Sequence, residues 1–148
     1  MMFTRGWSCA ISALGIYLSA SLTLAEGSRH GVIKPVETVK FEQDEDVKCL
    51  QSSLESGDPS TGPSSFILKA PPGCLIPWHF HTAEEQLIVV RGLVVTEMQG
   101  ETATQLRSGG YAMMPGGAPH QFACKGKVPC LMHVIFDSRY DITWGKSH

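Results

Sequence analysis

Two histidines two residues apart, with a glutamate four residues beyond the second, share one short stretch. They are His79, His81 and Glu85 in "GCLIPWHFHTAEEQLIVVRG", which runs from Gly73 to Gly92. A third histidine, His120, follows the turn-forming run "GGYAMMPGGAP" at 109–119. Imidazole nitrogens and a carboxylate oxygen are costly to bury unless something of opposite charge meets them, and a divalent transition metal does so. A two-His, one-carboxylate set also leaves coordination positions open for a substrate or for oxygen. Glu84 carries the same group, but side chains alternate across a strand, so it points opposite to Glu85, and Glu85 is the favoured ligand.

The elements that position these groups read as strands. In "CLIPWHFH" (74–81), His79 and His81 fall on one face, with Trp78 and Phe80 on the other. "TAE" at 82–84 is a tight turn, and a strand returning from it brings Glu85 back to the level of the histidines. In the second segment the glycines let the chain turn sharply, Pro115 and Pro119 stiffen it, and His120 starts the next strand. Further short apolar runs lie at 64–70, 85–92, 93–99, 103–107, 111–115 and 130–136, separated by Gly- or Pro-bearing turns such as "PPG", "SGG" and "KGKVP". Many short strands with no helical period between them predict an all-β sandwich or closed barrel. Residues 26–64 are polar and loop-rich, with "FEQDEDVK" (41–48) a solvated loop and "ESGDPSTGP" (55–63) a dense cluster of turn formers.

The two segments resemble the paired motifs of the cupin superfamily. The first family pattern is Gly, five residues, His-x-His, three or four residues, Glu, six residues, Gly. Gly73, His79, His81, Glu85 and Gly92 meet each of its spacings. The second is Gly, five residues, Pro-x-Gly, two residues, His, three residues, Asn. Gly109, Pro115, Gly117 and His120 match it, while Cys124 stands where Asn is usual. By motif the resemblance covers residues 64–136, with motif 1 at 73–92 and motif 2 at 109–124. It implies a double-stranded β-helix (jelly-roll) barrel with one divalent transition metal (Fe, Mn, Ni, Zn or Cu) at its centre. The implied ligands are His79, His81, Glu85 and His120. Tyr111, Met113, Phe122, Met132 and Phe136 are candidates to line the cavity, Phe122 foremost because it shares parity with His120. His133 reads as an ordinary strand histidine, and His30 and His148 lie near the termini of the expected mature chain. The expected function is a mononuclear metalloenzyme acting on a small organic molecule, by dioxygenase-type oxidation first and a lyase or isomerase step second. The alternative is a binding module that holds a metal or small ligand without turnover.

The first 25 residues differ in kind from the rest. Arg5 is followed by an uncharged run through Ala25, the layout of a secretory signal, with cleavage expected after Ala25 and a cut after Ala20 or an uncleaved anchor as alternatives. Residues 26–148 then form a single exported domain, periplasmic or secreted. Its loss of Arg5 takes the net charge from −2 to −3, and no basic cluster suggests nucleic acid or an anionic membrane as partner. A hydrophobic content of 43% with 18% charged residues fits a folded globular chain. Of five cysteines, Cys9 lies in the signal, and the four that remain permit two disulfides in three connectivities. Cys124 and Cys130 flank a Gly- and Pro-containing turn and are a candidate pair. Outward-facing Trp78 and Phe80 are candidates for a homodimer contact, and Trp144 for covering a barrel edge.

Overall fold

A computed structural model of the chain describes residues 31–145. The expected signal segment and both of its cleavage sites lie outside the described residues, as do His30 and His148. Within the described residues, a compact unit begins at Lys34.

Among the described residues, eleven strands come after one 3-10 turn at Val36–Thr38. They are β1 (Glu42–Gln43), β2 (Gln51–Gly57), β3 (Ser64–Ala70), β4 (Leu75–Phe80), β5 (Glu85–Arg91), β6 (Leu93–Met98), β7 (Thr104–Arg107), β8 (Tyr111–Met114), β9 (His120–Cys124), β10 (Cys130–Phe136) and β11 (Thr143–Trp144). They form two antiparallel sheets, β1-β2-β3-β10-β5-β8 and β11-β4-β9-β6-β7. This is the all-β double-sheet architecture expected from the strand spacing. The floor between the sheets is apolar, with Leu87, Val89, Val94, Met114, Met132 and Val134 all at most 1% exposed.

Three strands are not apparent in the sequence. β2 has only Ser53 buried and carries no apolar alternation, so its pattern resembles a loop. Its order comes from main-chain pairing with β3, from Gln51↔Lys69 to Gly57↔Ser64, across an irregularity between Leu54 and Ser56. The "ESGDPSTGP" loop accordingly begins later than the sequence predicts, after Gly57. The two-residue strands β1 and β11 are too short to carry any period. β11 lies along the edge of β4 with Trp144 opposite His79, and leaves Trp78 and Phe80 half-buried.

Both disulfides are formed. Cys124–Cys130 closes the β9–β10 connection, and Cys49–Cys74 ties the segment before β2 to the start of β4. Two disulfides suit an oxidising compartment. Among the described residues no helix is long and apolar enough to cross a membrane.

Candidate metal centre

The four expected ligands converge. His79, His81, Glu85 and His120 are all buried, and their ligand atoms lie within 4.8 Å of one another. They come from both sheets. Glu85 opens β5, in register with Phe136 of β10 and Met114 of β8. His79 on β4 faces His120 on β9 directly across the ladder.

A local irregularity makes this convergence work. Between the pairs Ile76↔Phe122 and His79↔His120, β4 has one more residue than β9. An extra residue of this kind reverses the facing of the side chains beyond it. Ile76 and His79 are therefore both buried although three positions apart, while Pro77 is exposed and Trp78 half-buried between them. The Pro115–Ala118 turn brings the other histidine in. Gly117, at φ +80°, donates its N–H to the His81 carbonyl at 2.7 Å. A Cβ on Gly116 would lie 2.3 Å from the Thr82 carbonyl oxygen. Glycine at both positions lets this turn sit against the chain leaving His81, which places His81 and His120 in one cluster.

The hydrogen bonds of the imidazoles fix their tautomers. Nδ1 of His79 donates to the Pro77 carbonyl (2.7 Å), Nδ1 of His81 to the Asp141 carbonyl (2.5 Å) and Nδ1 of His120 to the Ala118 carbonyl (2.8 Å). A carbonyl only accepts, so each Nδ1 carries a proton, and a ring in its neutral form keeps Nε2 bare as a ligand atom. The Nε2 atoms of His81 and His120 lie 3.1 and 3.0 Å from one oxygen, Oε2 of Glu85. With neutral rings these would be acceptors facing an acceptor, so either a proton on Nε2 or a bound cation must lie between them. Two ligands about 2.1 Å from one ion and roughly at right angles are about 3.0 Å apart, so these two contacts suit a shared ion, and the four residues together could hold one.

The electrostatics of the metal-free site arise from the same contacts. Burial pushes the His79 imidazole down to about 4. Burial alone would raise the Glu85 carboxyl, but the hydrogen bonds and charges of His120 and His81 bring it down to about 2. Burial lowers His120, but its hydrogen bond to Glu85, the charge of Glu85 and its bond to the Ala118 carbonyl together raise it. A proton on His120 supplies part of the positive charge that the cluster lacks.

His79, His81 and Glu85 of the cluster form one wall of a cavity of about 160 Å³. Phe122 and Phe136 line it as the sequence suggests, joined by Phe66, Leu68 and Ile76. The other three candidates do not. Tyr111 and Met113 alternate with inward Ala112 and Met114 along β8, so they face outward, 53% and 40% exposed, beside a separate depression. Met132 points inward but is packed into the apolar floor, opposite Leu68 and Val89. Glu84 turns away from the site and accepts a hydrogen bond from Gln86, while Glu85 is the carboxylate inside.

Several cavity residues lie in segments whose sequence carries no sign of a site. Asp44, in the run that reads as a solvated loop, lines the cavity, and so do Ser52 of β2 and Tyr140. Burial, then the charges of Asp44, Glu85, Asp46 and Asp141, push the Tyr140 hydroxyl up to about 12. Asp141 holds Thr82 through its N–H and its hydroxyl (2.7 and 2.5 Å) while its own carbonyl receives His81. Hydrogen bonds from Thr82 keep the Asp141 carboxyl low. The only hint of these positions in the sequence is the polar "FDSRYDITWG" segment after β10, which has no periodicity to read.

The cupin domain model matches residues 66–136. No curated protein sequence matches the chain. Among solved structures, the chain is similar to the polyketide cyclase RemF from Streptomyces resistomycificus, at 20% identity and TM-score 0.65, over 79% of this chain and 88% of that one. It is also similar to an uncharacterised double-stranded β-helix protein from Klebsiella pneumoniae (16% identity, TM-score 0.65, covering 80% of this chain and 100% of that one). A third similarity is to the DMSP lyase DddQ from Ruegeria pomeroyi, at 18% identity and TM-score 0.59, over 68% of this chain and 57% of the lyase. Residues 66–136 match the cupin domain, and the double-sheet fold and buried His/His/Glu/His cluster support membership of the cupin superfamily.

Proposed function

We propose that this chain is an exported mononuclear metalloenzyme that acts on a small organic molecule held in the cavity beside the four-ligand cluster. The observation that carries the reading is the orientation of the rings: all three donate from Nδ1 outward to carbonyls, and His81 and His120 bring Nε2 to 3.1 and 3.0 Å from Glu85, beside a ligand-sized space. A divalent ion bound there would supply Lewis-acid polarisation of a substrate oxygen, or a partner for O2. The protein's own part is to hold the Nε2 atoms and the Glu85 oxygen in place, and to offer the substrate a mostly apolar, water-poor wall.

Dioxygenase-type oxidation and a lyase or isomerase step both fit this arrangement. The names of the RemF and DddQ relatives, a cyclase and a lyase, lend support to the non-oxidative step, so both classes belong in the first screen. The deciding experiment is turnover of a library of small acids, enols and thioethers by protein reconstituted with iron or zinc, with oxygen consumption monitored in parallel. Turnover that requires the ion and is lost in His81→Ala supports an enzyme. Metal binding at full stoichiometry without turnover of any substrate would favour the binding module.

A further inference from the structure

The cavity has a second set of groups opposite in character to the histidine cluster. The rings of Phe66, Phe136 and Tyr140 all line it. Their centroids are 4.9–6.2 Å apart and their planes are inclined by 52–76°, so they form a corner of aromatic surfaces and not a stack. Beside them, the half-buried Asp44 carboxylate is held in position by the N–H groups of Asp46 and Val47, which both donate to Oδ1 at 3.0 and 2.7 Å. Among the described residues no Lys or Arg pairs with Asp44, and none lines the cavity. Asp46 and Asp141 add negative charge near Tyr140, but their carboxylates are already engaged with Trp144 and Thr82.

We propose that this cavity admits a small organic cation, whose positive group is received by the rings of Phe66, Phe136 and Tyr140 and by the Asp44 carboxylate. The inference names a substrate class for the proposed enzyme, and rests on that reading only for what becomes of the ligand. Aromatic faces attract a cation through their quadrupole, most strongly where water is excluded. A purely apolar ligand would strip water from Asp44 and give nothing in return, and an anionic group placed beside it would be repelled. A cation satisfies both the carboxylate and the rings. A cavity of this volume accommodates a group the size of benzene, which is also the size of a trimethylammonium head. The uncharged or oxygen-bearing end of such a molecule then faces the Nε2 cluster.

The test compares choline with neohexyl alcohol, its uncharged carbon isostere, by calorimetric titration of the whole protein in metal-free and zinc-loaded forms. Choline is expected to bind at least about tenfold more tightly in both forms. Asp44→Asn is expected to reduce that preference several-fold, and Tyr140→Ala to weaken choline more than the alcohol. Tyr140→Phe, which keeps the ring, should retain the preference, and thermal melts identify any variant that has lost its fold. Equal binding of the two probes, tighter binding of the alcohol, binding of neither, or an unchanged ratio in Asp44→Asn would overturn the proposal. Because the ratio is read without metal as well, a failure of the metal assignment leaves it intact. A failure of the cation assignment likewise leaves metal stoichiometry intact.

Discussion

Each imidazole of the centre gives its Nδ1 proton to a main-chain carbonyl, and in two of the three cases that carbonyl lies two residues earlier in the chain. His81 differs: its acceptor is the carbonyl of Asp141, sixty positions away, whose side chain in turn secures Thr82. Asp141→Ala is therefore expected to weaken metal affinity by about 10–100-fold while the fold stays intact. Competition with a chromogenic chelator checks this, and an unchanged affinity would mean that the Asp141 carbonyl keeps its place against His81 without the side-chain contacts to Thr82. The metal-free protein should also show the titration of His79. Its folded value of about 4 lies below the ordinary 6.5, so it contributes stability that is complete above pH 6.5 and is lost as pH falls toward 4. His120, raised, has the opposite sign: its contribution is present below 6.5 and fades as pH rises through its folded value. In His79→Gln, urea midpoints of the metal-free protein are expected to fall less between pH 6.5 and 4 than in the wild type. Parallel curves would contradict the burial account of His79.

At the level of elements, two connections hold the site's geometry. A Cβ on Gly116 cannot be accommodated against the Thr82 carbonyl, so Gly116→Ala should displace the turn that carries His120. The expected destabilisation is about 1–3 kcal/mol, with weaker metal binding, read by denaturant titration and metal competition. The disulfides act on the ends of strands. Loop closure gives about 3.5 kcal/mol for Cys49–Cys74, with its separation of 25, and nearer 2 for Cys124–Cys130, with its separation of 6. Mature protein denatured without reductant should accordingly show no free thiol, and four free thiols would refute both bridges. The ligand spacing and the His79/His81 parity are legible in the sequence because strand alternation is a local rule. The β4 irregularity is not, since an extra residue is defined only by its partner strand, and it decides that Ile76 and His79 share a side. Tyr111 and Met113 elude a sequence reading for the same reason: which face of β8 is inward depends on its pairing with β5, where Met114 meets Glu85.

For the whole molecule, the legible part is the one built from repeated local signals: short apolar runs, Gly and Pro punctuation, and two motifs with fixed spacings. The hidden part is the polar rim. Asp44, Ser52 and Tyr140 sit in segments without periodicity, and reach the cavity through β2 pairing, the Cys49–Cys74 bridge and the chain after β10. Two sheets thus contribute different things to one space, His79 and His120 from one and Glu85 with Phe66 and Phe136 from the other. The central claim is that this space is organised around a metal ion. Its most direct test is elemental analysis by mass spectrometry of protein purified without a His tag or added metal, beside the His79→Ala, His81→Ala double variant. About one transition-metal ion per chain in the wild type, and none in a folded double variant, is the expected result. No metal in either protein after reconstitution, or equal metal in both, would contradict it.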